Sequence, residues 1–176
     1  MDREAGLADL ERARGEFETA MAGVPDAALG HLKAGDDYSL SGLVPHCEYV
    51  FRHYSAVLDG MAAGAQFRAV DPDELDEWHR KSSREGFTPA DRKQSMAALG
   101  AWHLATVQRL RRVPDWEAKV PVMYGADTDE PYPTSAADVN GWLTDHYREH
   151  VPHVSELLAD WRGQGAGAGA EASKPA

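Results

Sequence analysis

Three histidines carry the chemistry this sequence can offer. His146 and His150 are four residues apart, one helical turn, so their rings project side by side. They extend the apolar register of Val139 and Trp142, which continues to Leu157, so they point into a core. Two imidazoles buried there without partners would each cost about 1–3 kcal/mol in lost hydrogen bonding. One divalent metal removes that cost by taking a lone pair from each ring. His46 lies three residues after Leu43 and four before Val50, flanking the core seam of another helical stretch. With His46, His146 and His150 as ligands, coordination positions stay open, which is the pattern of a catalytic rather than a structural zinc site.

Four amphipathic segments must position these rings, and no period-2 strand pattern stands out. Leu7, Leu10, Phe17, Met21 and Val24 predict a helix over residues 4–23, with Arg14 out of place on its stripe. A second helix opens near Ser39, carries Leu43, Cys47, Val50, Tyr54, Val57 and Met61, and has Pro45 in its second turn. A third follows Thr88-Pro89 and ends at Pro114; a fourth runs from Ser135 to Arg162, with Ser135 and Asp138 spaced as a capping box and Pro152 inside. The connection between the second and third helices holds a candidate short helix around Pro72–Trp78. Long connections allow parallel neighbours in a bundle. The expectation is an all-α four-helix bundle over residues 1–162 and a disordered Gly/Ala-rich tail over residues 163–176.

The remaining polar candidates read more simply. His153 could replace either member of the pair, or sit one turn below it as a donor to a ligand. His103 reads as a hydrogen-bonded core histidine, and His53 as a partly buried polar residue. His31 and His79 fall in connections and read as solvated, and Glu149 as a surface charge. A His-rich core network without metal is the plain alternative for the whole set.

The chain has 176 residues and a net charge of −11, which argues against nucleic acid and anionic membrane surfaces as partners. The single cysteine, Cys47, excludes an intrachain disulfide and reads as a small core residue. A charged N-terminus without an apolar stretch reads as a cytoplasmic protein.

The segment Asp37-Tyr38-Ser39-Leu40-Ser41-Gly42-Leu43-Val44-Pro45-His46 resembles the helix-2 opening of the DinB/YfiT-like superfamily, with Tyr38 where Trp is usual. The segment Val139–Val154, containing His146-Tyr147-Arg148-Glu149-His150, resembles that family's fourth-helix His-x-x-x-His phrase. The resemblance implies an up-down-down-up four-helix bundle. It implies that His46, His146 and His150 hold zinc, or nickel or iron. It also implies a metal-activated thiolate from mycothiol or bacillithiol, in an S-transferase or isomerase related to maleylpyruvate isomerases. The alternatives are a hydrolase using metal-bound water, for which the sequence places no carboxylate base, and a non-catalytic bundle that forms a homodimer, with Trp78, Trp102 and Trp116 at an interface or capping the core. Three neutral histidine ligands would leave the ion's charge uncancelled, so a thiolate or anionic substrate is expected, met by Arg148 or the Arg109/Arg111/Arg112 cluster.

Overall fold

The computed structural model describes residues 2–63, 66–125 and 130–171. Five α-helices lie along them: α1 (Arg3–Ala22), α2 (Leu43–Ala62), α3 (Asp73–Glu85), α4 (Arg92–Arg112) and α5 (Ala136–Glu171). Helix α1 is capped by the Asp2 side chain, which accepts from Ala5 N–H, and it buries Leu7, Leu10, Phe17 and Met21 as their spacing predicts. Arg14 keeps its guanidinium at the stripe's edge, bonded to Glu18 at 2.7 Å. Because α2 begins at Leu43, Pro45 falls in its first turn, where a missing N–H breaks no intrahelical bond. The Ser135 and Asp138 capping box forms: Asp138 N–H donates to Ser135 Oγ at 3.2 Å, and Ser135 N–H donates to Asp138 Oδ2 at 2.7 Å.

Side-chain pairs along the seams set the directions. Against α4, α1 is antiparallel, with Arg3 donating to the Val113 carbonyl at one end and Arg92 to the Val24 carbonyl at the other. Helix α2 runs parallel to α4, with Ser55 on Thr106 and Asp59 on Arg109. Helix α5 runs antiparallel to α2, with Tyr147 on Phe51 and Trp142 on Tyr54. Helices α1, α2, α4 and α5 therefore form an up-down-down-up bundle, in the sense the resemblance implies. No helix among the described residues is long and apolar enough to cross a membrane.

The connections carry more structure than their sequence suggests. The predicted short helix is α3, thirteen residues laid over the start of α2. A small sheet also forms, which the absence of a period-2 pattern did not anticipate. Strand β1 (Phe67–Ala69) pairs in parallel with β2 (Val120–Tyr124), which pairs antiparallel with β3 (Tyr132–Thr134). Strands this short, two of them containing proline, are too brief to show alternation. The backbone of α5 is helical to Glu171, past Arg162, where the disordered tail was expected to begin. Extending a formed helix needs no new nucleus, so Ala-Gly sequence can follow it. Residues 172–176 lie outside the described residues.

One junction fixes α3 against α2. Ser39 N–H donates to the Ser83 carbonyl at 3.0 Å, Gly42 N–H to Ser39 Oγ at 3.0 Å, and Phe87 N–H to Ser41 Oγ at 2.9 Å. A Cβ on Gly42 would lie 1.7 Å from the Ser83 carbonyl oxygen, so only glycine permits this approach. Gly86 closes α3 with φ of +66°, and its Cβ would lie 1.9 Å from Ser41 Oγ. Gly42→Ala should therefore lower stability in urea denaturation by about 1–3 kcal/mol. Gly141→Ala, facing open space within α5, should raise it by up to about 1 kcal/mol.

Candidate metal centre

Helices α2 and α5 cross antiparallel so that His46 faces His146 and His150. The ring centroids are 4.9 Å apart for His46–His146, 5.0 Å for His46–His150 and 4.6 Å for His146–His150. One nitrogen from each ring lies within 4.8 Å of the other two, so this group could hold one metal ion. Nε2 of His146 and Nε2 of His150 are buried with no hydrogen-bond partner. Orphaned polar atoms of this kind are rare in a folded interior.

Two of the three rings have a partner on their other nitrogen. His153 Nε2 lies 2.8 Å from Asp36 Oδ2, and His153 Nδ1 lies 3.4 Å from His150 Nδ1. Burial pushes the Asp36 carboxyl up, but bonds from His153 and the Tyr38 backbone outweigh it and hold Asp36 below the usual carboxylate range. An ionised Asp36 only accepts, so a His153 that donates to it from Nε2 alone would accept at Nδ1. With that tautomer His150 would donate from Nδ1 and turn the lone pair of its Nε2 to the centre. On α2, His46 Nδ1 lies 2.8 Å from His79 Nε2. With His46 as donor, its own Nε2 lone pair is free. Partners that set the tautomer in this way are typical of metal-ligating histidines.

Burial, followed by the neighbouring rings, keeps these imidazoles neutral. His46 is pushed down to about 2, by burial first and then by His146 and His150. Burial also lowers His146 to about 4 and His150 to about 3. Tyr38 lies over His46 with ring centroids 4.3 Å apart and meets His150 edge-on at 6.0 Å.

Several other residues stand where the sequence did not put them. His79 is not solvated: it is half-buried on α3, stacked on Tyr49 at 4.0 Å and bonded to His46. On a helix rich in charge, His79 lies on the inward side with Trp78 and Ser83. His31 is not solvated either, and meets Asp160 at 2.8 Å. His103 is the hydrogen-bonded core histidine expected, 1% exposed and 2.8 Å from Glu11. His153 serves as the partner of His150. Cys47 is fully buried, and burial pushes its thiol far up. Trp78 and Trp102 sandwich the Arg52 guanidinium at 4.6 and 5.1 Å, and Trp116 is buried beneath Arg3. Arg148 is held by both oxygens of Asp9, and Arg109 by Asp59, so neither is aimed at the centre.

A cleft of about 460 Å³ opens beside His146. Half-buried Tyr49, Tyr54 and Trp142 wall it, and exposed Asp145 and Glu149 stand at its edge. Glu149 is exposed, as a surface charge, and also stands at the edge of this cleft.

No protein-family model and no curated protein matches the chain. Solved structures do. A mycothiol-dependent maleylpyruvate isomerase superposes with a TM-score of 0.65 at 13% identity, over 86% of this chain and 60% of that one. A histidine-to-alanine mutant of that isomerase gives 0.66 at 11% identity. YfiT from Bacillus subtilis, described as a probable metal-dependent hydrolase with an unusual four-helix bundle topology, gives 0.68 at 20% identity, over 90% of this chain and 87% of that one. This chain thus has the bundle fold of the DinB/YfiT-like proteins, in agreement with the resemblance in its helix-2 and helix-4 segments. It spans 60% of the isomerase structure.

The depressed histidines fix the sign of the pH dependence. Unfolded histidines titrate near 6.5, and the folded rings stay neutral well below that. Above pH 6.5 they contribute no slope. As pH falls below it, the unfolded chain takes up protons that the folded chain refuses, so stability drops. The slope approaches about 1.4 kcal/mol per pH unit for each such ring. In urea denaturation without metal, stability should fall from pH 7 to pH 5, and His146→Asn should make the fall shallower.

Proposed function

We propose that this chain is a divalent-metal-dependent enzyme whose ligands are His46, His146 and His150. The two buried, unpartnered Nε2 atoms beside a substrate-sized cleft carry the reading. Zinc fits three neutral imidazoles, and nickel or iron would be accepted by the same donors. A divalent ion held there lowers the pKa of a thiol or water bound to it, so that a nucleophile forms at neutral pH.

The reaction proposed is transfer or isomerisation by a low-molecular-weight thiol, mycothiol or bacillithiol, working in the cytoplasm. The thiol comes from a cosubstrate because Cys47 is buried and its burial disfavours the thiolate. In this scheme His79 and the Asp36–His153 pair orient the ligand rings. Tyr38 covers the His46 side against water. The cleft walled by Tyr49, Tyr54 and Trp142 seats the acceptor.

The second reading is hydrolysis, with water as the nucleophile. It gains support from Asp145 and Glu149, since a carboxylate beside the cleft supplies a candidate base that the sequence alone did not place.

Metal analysis of the purified protein should give one ion per chain, and His146→Ala should remove it. Asp36→Asn should keep the ion but weaken its binding about 10–100-fold in a chelator competition, the range for lost ligand-orienting partners. Metal retained at full occupancy by His146→Ala would overturn the ligand set. Incubation with mycothiol or bacillithiol and an electrophile should give a metal-dependent thioether adduct. Ester hydrolysis that proceeds without thiol and is lost in Glu149→Gln would select the second reading.

A further inference from the structure

We infer that the cleft beside the candidate centre takes a cationic acceptor, a substrate bearing a protonated amine or quaternary ammonium group. The inference rests on the reading of that centre as the reaction site, and it reverses the anionic substrate that three neutral ligands suggested. Of the residues lining the cleft, none is Lys or Arg, and two, Asp145 and Glu149, are carboxylates. Two more carboxylates stand behind its wall. Asp71 accepts from Tyr49 Oη and lies 2.8 Å from His53 Nδ1, and Asp76 lies 3.0 Å from Tyr49 Oη.

The wall itself is aromatic. Tyr54 and Trp142 are 5.7 Å apart between centroids. Trp142 is braced from the sheet by Tyr124 at 6.3 Å and Tyr132 at 6.1 Å. Burial pushes the Tyr54 hydroxyl up to about 12, so its ring stays neutral beside a cation. Neutral aromatic faces beside carboxylates attract ammonium groups and repel carboxylates. The bundle's available cations point elsewhere: Arg148 is clamped by Asp9, and Arg52 lies between Trp78 and Trp102. A separate cleft carries Arg80 and Arg84 beside His79, but none of the three candidate ligands lines it.

The test uses benzyltrimethylammonium and benzoate as matched probes in calorimetric titrations. The full chain is treated with chelator so that neither probe meets a metal. The ammonium should bind roughly tenfold or more tightly than benzoate and weaken as salt rises. The Asp145→Asn/Glu149→Gln double variant, altered only at exposed positions, should lose the preference. Its zinc affinity, titrated separately, should stay that of the parent. Benzoate binding as tightly as the ammonium, no ammonium binding at millimolar concentration, or an unchanged preference in the double variant would each overturn the inference. Failure of the parent chain to bind zinc would instead overturn the metal reading, while the chelator-treated titrations still decide the charge preference of the cleft.

Discussion

The structure turns on two imidazole nitrogens that are buried and have nothing to bond. Nε2 of His146 and Nε2 of His150 face His46 across the α2–α5 crossing. Each orphan of this kind costs about 1–3 kcal/mol, a large share of the stability of a domain this size. The surrounding chain does not relieve the cost where it easily could. A hydroxyl or amide on a neighbouring turn would satisfy either nitrogen. Instead the partners sit on the outward nitrogens of two of the three rings, His153 with Asp36 behind it on His150 and His79 on His46. Satisfying the outside while leaving the inside bare makes sense when something else completes the inside.

The up-down-down-up topology serves the same centre. Helices α2 and α5 run antiparallel, and their crossing brings His46, near the start of α2, level with His146 and His150. The long connections that permit the parallel α2–α4 pair also supply the pieces of the site. One becomes α3 and brings His79 onto His46, through the glycine junction at Gly42 and Gly86. The other becomes β2 and β3, whose Tyr124 and Tyr132 brace Trp142 at the cleft.

The bundle and the three central histidines were legible because they lie on long helices, where a register repeated over several turns states which face is inward. His46, His146 and His150 could be placed by counting from Leu43, Val50, Val139 and Leu157. The same counting has little to work on in α3, whose thirteen residues include only two large apolar ones, Leu75 and Trp78, and which buries only Ser83 fully. Its inward face, with Trp78 and His79, is short and mostly polar, so it does not stand out as an apolar stripe. The three strands are too short for any period. Asp36 and Tyr38 come from an irregular loop, and a loop residue's partners, here 117 positions away for Asp36, depend on the finished fold. Sequence pattern thus placed the three central histidines and offered His153 as a partner, and missed Asp36, Tyr38 and His79 around them.

Charge placement separates this centre from one in which a carboxylate is a ligand. The candidate ligands are three neutral rings, so a divalent ion among them would keep its full charge and its strength as a Lewis acid. The acidic residues that give the chain its net charge of −11 are not absent from the region. Asp36 is separated from the centre by two rings, and Asp71 and Asp76 lie behind Tyr49 and His53. Asp145 and Glu149 are at the solvent edge of the cleft. Negative charge therefore surrounds the approach without entering the coordination sphere. A cationic substrate would be drawn in by the rim, while an ion held by the three rings would keep a charge that no rim carboxylate neutralises.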